Sequence, residues 1–456
     1  MPTSNIQEVE QPRSVPSALE RWFKFGARGS SLQREILAGL TTFTTMAYVL
    51  VVHPQILSQT GMDFKGLITV TALAAAIFSV LMGIWTNYPI AMAPGMGINA
   101  FFAFHICIAQ NIPWRSALGL VFYSGLIFFL LSVSGLRQKI IESFPNSLKG
   151  AITAGIGLFI AFLGLKNAGI VVANPNTFVT LGNITAPAVA LSFFGIILAV
   201  VLLRRRVPGA LILSILLLTL IGLFLPGIAA GSHITKFPDR LVDWPSSIGS
   251  LFLQLDFAYF WTHLGQTVPI ILSLLFSDLF GSMAALLAIG SRAGLLDKDG
   301  NLPRIREALA ADATAAAGGA LLGTSTTIQY IESAAGVEEG GRTGLVSFVA
   351  AVCFLLALFF NPIIQIIPVA ATAPALVVIG IFMMEGLAKL DLKDLTIAAP
   401  AVITVLLMVL GTIADGLALG FIAHVLIYLF TGKGRQISAL SFVLAAVFLL
   451  HYFVRQ

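Results

Sequence analysis

Charge is what this chain has least of. Asp, Glu, Lys and Arg together make up 10% of its 456 residues, against roughly a quarter in soluble domains. That is too little polar surface for a water-soluble globule of this size. Cysteine is scarcer still: Cys107 and Cys353 are the only two, both in apolar runs, which argues for buried small hydrophobes rather than a disulfide or a metal site. His53, His105, His263 and His424 have no metal-ligand companion at useful spacing, so no metal and no cofactor is expected. Also missing are a Walker A sequence, HExxH and GxSxG. The glycines of 94-PGMG-97 do not follow a strand in a strand–helix unit, which removes the dinucleotide reading. The chain is therefore not read as an enzyme, and without a nucleotide-binding domain any active transport has to run on an ion gradient.

What the sequence has in abundance is apolar runs. Hydrophobic residues make up 57% and the mean hydropathy is +0.95. Runs of about 17–25 apolar residues are long enough, as helix, to cross roughly 30 Å of hydrocarbon. The plainest are 115–135, 186–206 and 344–364. Barrel strands would be shorter and alternating, so the expectation is an all-α polytopic membrane protein. Fourteen spans are expected, at 36–58, 67–84, 91–111, 115–134, 147–166, 186–203, 208–225, 266–290, 307–323, 325–337, 344–363, 371–387, 394–410 and 413–431. The run 437–453 is either a fifteenth crossing or a hairpin against the bundle.

With the N-terminus in the cytoplasm, the exits after even-numbered spans carry the basic clusters: Arg137, Lys139 and Lys149; Arg204 to Arg206; Arg292, Lys298, Arg304 and Arg306; Lys389 and Lys393; Lys433 and Arg435. Asn167 to Leu203 carries no Lys or Arg. This is the positive-inside pattern of a multi-pass plasma-membrane (inner-membrane) protein. It accounts for the net charge of +5 without nucleic acid. The first apolar run starts near Ile36 after a charged tail and is too long for a signal-peptide core, so no cleavable signal is expected. The expected organisation is a cytoplasmic tail at 1–30, a first repeat at 31–231, an outer connection at 232–265, a second repeat at 266–433 and a C-terminal hydrophobic segment at 434–456.

Two spans are irregular. The third opens with 88-YPIAMAPGMGINAFFAF-104 and the tenth with 323-GTSTTIQYIESAAGVEEGGRTG-344. Proline, glycine and a Thr/Ser run all disfavour continuous helix. Interrupted spans at matching places in two halves point to a midplane site between inverted repeats, here seven spans each, although Pro and Gly are common in membrane helices generally. Glu332 sits in the second interruption. A carboxylate at that depth is expensive and tends to face the bundle interior, where it can exchange a proton and accept a ring N–H; the other reading is a brace at a helix end. Asp278, on the eighth span, is the other acid within a span, with binding or coupling and structural anchoring both open. Asp312 and Asp415 read as structural, near span ends among small residues.

The segments 41-TTFTTMAYVL-50, 93-APGMGINAFFAF-104, 323–344 and 371-ATAPALVVIG-380 together resemble the AzgA-like purine permease branch of the nucleobase:cation symporter-2 family, from about Ser31 to Lys433. The resemblance implies two inverted seven-span repeats, a core domain of spans 1–4 and 8–11 and a gate domain of spans 5–7 and 12–14. It also implies short strands in spans 3 and 10, and proton-coupled import of adenine, guanine or hypoxanthine. Glu332 then matches the family's substrate-binding glutamate. Backbone groups at Ala93 and Thr327 contact the base, and Phe101 or Phe104 stacks on it. This chain departs from the family at Gly281, where a second acid is usual, at Gln329 for a threonine, and at His53 for an asparagine. Gln329 carries both a donor and an acceptor for a purine edge, and Asp278, Glu332 and His53 are the candidates for proton coupling. Membrane lipid and a second copy of the chain, as a homodimer, complete the expected partners. The alternatives are a transporter of the same architecture for another small heterocycle or an anion, and a membrane receptor or scaffold that transports nothing.

Overall fold

The computed structural model of the chain describes residues 18–134, 145–227, 232–238, 240–298, 302–410 and 413–454; Arg137 and Lys139 of the first basic cluster, and most of the N-terminal tail, lie outside these. A short helix α1 (Ala18–Phe23) leads to α2 (Leu32–Met46) and α3 (Val49–Leu57), then to α4 (Phe64–Thr86). Strand β1 (Met92–Pro94) is followed by α5 (Met96–Ala100), which continues as a π-helix to Ala109. α6 (Trp114–Ser134), α7 (Asn146–Asn167), a hairpin of β2 (Val171–Asn174) and β3 (Phe178–Leu181), α8 (Pro187–Arg204) and α9 (Ala210–Gly222) come next. A connection containing α10 (Ala258–Thr262) leads to α11 (Leu264–Arg292), α12 (Ile305–Leu322), β4 (Thr327–Gln329) and α13 (Ser333–Glu338). The chain closes with α14 (Gly344–Ala357), α15 (Asn361–Gln365), α16 (Val369–Met383), α17 (Leu395–Leu410), α18 (Ile413–Phe430) and α19 (Ala439–Val454).

Local sequence sets these boundaries. Asp63 Oδ2 accepts from the Gly66 amide at 2.9 Å to cap α4, which ends on Asn87 in the left-handed region. Thr343 caps α14 through the Leu345 amide, 3.3 Å away. Each cap satisfies one of the donors that a helix start leaves unpaired. Among the described residues, seven helical segments are long and apolar enough to cross a membrane, and five shorter apolar helices, Met96–Ala109 among them, accompany them. The fold is therefore predominantly helical and suited to a bilayer, as the composition requires. The hairpin of β2 and β3 was not legible as strand; it lies in the connection before α8, with Phe178 in the left-handed region at φ 63°. The run 437–453 forms α19, which packs on both α11 and α18; Phe448 stands edge-on to Phe276 at 6.0 Å and to Phe421 at 5.9 Å.

Two helix pairs approach backbone to backbone through glycine. A Cβ placed on Gly83 of α4 would lie 2.8 Å from the carbonyl of Gly344 in α14, and one on Gly157 of α7 would lie 2.6 Å from the carbonyl of Gly380 in α16. Small residues permit this closeness, and it is how membrane helices gain packing where apolar burial drives nothing.

The segment before α2 is tied to the same end of the molecule as the α13–α14 connection. Arg28 Nη1 donates to the carbonyls of Asn87 at 2.7 Å and Arg342 at 3.0 Å, and the Asn87 amide donates to the Phe23 carbonyl at 2.8 Å. Burial at this junction lowers the Arg28 pKa from its ordinary value, while the bonded carbonyls favour the charged form. Phe23 and Phe25 complete the contact by packing on Leu345.

These close crossings predict a contrast in stability. Gly157→Ala forces two backbones apart and should cost about 1–3 kcal/mol, the usual range for overpacking, read as a lower melting temperature of the detergent-purified protein. Gly281→Ala, where nothing lies within 4 Å of the new Cβ, should not lower it. Equal melting temperatures for both variants would contradict the packing described.

Candidate functional site

The two irregular stretches meet. β1 and β4 pair antiparallel, with Met92 opposite Gln329, Ala93 opposite Ile328 and Pro94 opposite Thr327. Bonds beyond the strands extend the seam: the Gly95 amide donates to the Thr326 carbonyl at 2.9 Å and the Tyr330 amide to the Ala91 carbonyl at 3.1 Å. Side chains close the remaining gaps. Ser79 of α4 brackets Met92, accepting from its amide at 2.8 Å and donating to its carbonyl at 3.1 Å. Ser333 Oγ accepts from the Ala91 amide at 3.0 Å, Tyr330 donates to the Pro94 carbonyl at 2.5 Å, and Ser325 donates to Asn99. The Thr/Ser-rich and Pro/Gly-rich composition of these stretches thus serves backbone groups that a broken helix leaves open.

Glu332 follows β4 by three residues at the start of α13. Its side chain makes no cap bond to that helix. Instead Oε1 accepts from the Tyr48 hydroxyl at 2.7 Å, while Thr45 Oγ1, which donates to the Thr42 carbonyl at 2.9 Å, passes 3.4 Å from the Glu332 carbonyl. The carboxylate thus makes no cap to its own helix and ties that helix to the first span. The residue is half-buried, with Tyr48 and Tyr330 buried beside it and their ring centroids 6.4 Å apart.

Ala93 and Ile328 share one face of the strand pair. By the alternation of strand side chains, Thr327 and Gln329 share the other with Met92, which packs among Phe78, Met82, Leu286 and Ala315. That face looks toward α4 and α12: a Cβ on Gly319 of α12 would lie 2.7 Å from Thr327 Oγ1. The Thr327 hydroxyl and both amide atoms of Gln329 are buried and have no hydrogen-bond partner among the described residues. His53, fully buried in α3, pairs through Nε2 with Thr324 Oγ1 at 2.7 Å, just ahead of β4.

Phe101 is buried and stacks on His105 at 4.9 Å, so one of its faces is taken; Phe104 is half-buried against the main core. Asp278 is 4% exposed on α11, a helix that packs on both β4 and α13, and its Oδ1 accepts from Ser282 at 3.1 Å. One helical turn later, Gly281 faces open volume.

Sequence reasoning missed two residues. Tyr48 lies 284 positions from Glu332; it falls within the quoted segment 41–50, but nothing there singles it out as a partner of an acid. Glu35 falls one position before the first expected span, so it was not weighed among the acids within spans. Glu35 lies inside α2, fully buried, accepting from the amides of Arg342 at 2.8 Å and Thr343 at 3.2 Å and from the Thr343 hydroxyl at 2.6 Å. It holds the connection after α13 in place.

Similarity to known proteins extends over most of the chain. A model of a permease family (Xan_ur_permease) matches residues 33–418. The adenine permease AdeP of Escherichia coli is 39% identical over 433 residues, 95% of each chain. The guanine/hypoxanthine permease PbuG of Bacillus subtilis is 39% identical over 449 residues, covering 95% of this chain and 99% of its own. Among solved structures, the transmembrane domain of the cyanobacterial bicarbonate transporter BicA superposes with a TM-score of 0.64 at 15% identity, over 84% of this chain and 97% of that one, a likeness of fold. A multi-pass membrane transporter and not an enzyme, the chain belongs to the nucleobase:cation symporter-2 permease family, in its AzgA-like purine permease branch.

Proposed function

We propose that the protein imports purine nucleobases by proton symport, with Glu332 as the residue that accepts a ring N–H of the base. The observation that carries this reading is a half-buried carboxylate held beside a strand pair by Tyr48 rather than used to cap its own helix. A planar heterocycle needs such an acceptor together with backbone groups and apolar walls. Those are at hand in Ala93 and the backbone around Thr327, with Phe101 and Phe104 on the following half-helix. The relatives divide between adenine and guanine/hypoxanthine permeases, which supports purines as the class and leaves the base open.

The proposal includes fourteen crossings in two inverted repeats, 31–231 and 266–433, with a core of spans 1–4 and 8–11 and a gate of spans 5–7 and 12–14. It places the protein in the inner membrane with the N-terminus in the cytoplasm, working as a homodimer. The proton rides on Asp278, Glu332 or His53, titratable groups that follow β4 or lie on helices packed against the strands. A second reading, another small heterocycle or an anion, is favoured by one observation: Gly281 leaves open volume where the family carries an acid. Uptake of labelled adenine, guanine, hypoxanthine, uracil and bicarbonate into proteoliposomes under an imposed pH gradient separates the two; anion flux without purine flux sinks the first.

Glu332→Gln keeps the shape and removes the charge, so purine binding should weaken by about 1.5–3 kcal/mol, the scale of a hydrogen bond to a charged group. Calorimetry on the purified variant measures it, and wild-type affinity would remove Glu332 from the site.

Asp278 and position 281 lie three apart on α11 and so on roughly one face. If Asp278 carries the coupling, Asp278→Asn should lose pH-driven uptake and Asp278→Asn with Gly281→Asp should recover much of it. An unchanged pH profile in the single variant would assign the proton to Glu332 or His53.

A further inference from the structure

Tyr48 sits at the junction of α2 and α3 in the first span. α2 ends at Met46 and α3 starts at Val49, with Ala47 and Tyr48 between them still in the right-handed helical region. The phenol is 1% exposed, with its hydroxyl 2.7 Å from Glu332 Oε1. Thr45, three residues earlier, lies 3.4 Å from the Glu332 carbonyl, but its one hydroxyl proton is better placed for the Thr42 carbonyl at 2.9 Å, so the hold of this stretch on Glu332 is the Tyr48 bond. Tyr330, the other phenol nearby, is engaged with the Pro94 carbonyl at 2.5 Å and does not compete. Among the described residues, Tyr48 is the one side chain that hydrogen-bonds the Glu332 carboxylate.

A carboxylate with two open oxygens grips an edge that carries two adjacent donors, because both bonds form in one plane. Here a donor already stands at Oε1. We propose that Tyr48 is a specificity-setting positioning residue: by engaging Oε1 it leaves Oε2 as the acceptor for the base, and so favours an edge with one N–H over an edge with two neighbouring donors. The inference rests on the purine reading above and adds to it a choice among purines. Hypoxanthine presents a single N–H at its N1 edge. Guanine carries the same N–H and, beside it, an exocyclic amino group. With the phenol in place, that amino group meets an oxygen one of whose two acceptor directions is already taken. A buried amino group offered an acceptor that is already engaged gains a poorer bond than the water bonds it gave up, and such imperfect pairing lets a site discriminate between near-identical ligands.

The test is competitive binding of hypoxanthine and guanine to the purified full chain, in wild type, Tyr48→Phe, Glu332→Gln and the double variant. Wild type should bind hypoxanthine more tightly than guanine. Tyr48→Phe keeps the ring and frees Oε1, so the guanine-to-hypoxanthine affinity ratio should rise about tenfold, equivalent to one hydrogen bond of about 1.4 kcal/mol. The change should vanish when Tyr48→Phe is made in Glu332→Gln, because the two residues act as a unit; a phenol with a merely structural role would scale both ligands equally in either background. Preference for guanine in wild type overturns the proposal, and that measurement needs no variant to fold. An unmoved ratio in Tyr48→Phe, or a shift that persists with Gln at 332, overturns it as well. If wild type binds neither of these nor adenine, the purine reading fails and takes this inference with it; if it binds adenine alone, or binds both with the ratio unmoved, this inference alone fails.

Discussion

Hydrogen bonding between two three-residue strands is the constraint on which the site depends. Breaking two helices inside an apolar bundle exposes backbone donors and acceptors that cost several kcal/mol each if left unpaired. β1 and β4 answer for each other, and the groups their ladder leaves open, within the strands and beside them, are taken by Ser79, Ser333, Tyr330 and the Gly95–Thr326 bond. Because the seam joins stretches more than 230 residues apart, the two irregular segments form one polar island. Glu332 and Tyr48 stand at its edge. A carboxylate can exist there because its neighbours are polar for reasons of their own.

Legibility from sequence followed the range of the interaction. The break in 88–97 was plain because Pro89 and Pro94 remove donors and force extended backbone, and the break in 323–329 because Thr and Ser bond their own chain. Glu332 stood out as a lone acid among apolar and small residues. The partner of that acid did not stand out, since nothing local ties Tyr48 to a residue 284 positions later. Glu35 was passed over because, at the margin of an apolar run, a buried acid and an exposed one read alike until the fold brings Arg342 and Thr343 to it.

Gln329 shows a subtler limit. Its identity suggested a reader of the purine edge, yet which side of a strand a residue occupies depends on register, and a shift of one residue reverses it. Pairing with Met92 puts Gln329 on the side toward α4 and α12, with its amide buried and unbonded among the described residues. Its polarity belongs to the interior behind the strands rather than to the face shared by Ala93 and Ile328.

The bond from Glu35 to Thr343 spans 308 residues, and that distance also measures time on the ribosome. When α2 emerges, the amides and hydroxyl that will bond its buried carboxylate have not been made. A buried carboxylate without those bonds is costly, so the native seat of the first turn of α2 is complete only once the α13–α14 connection exists.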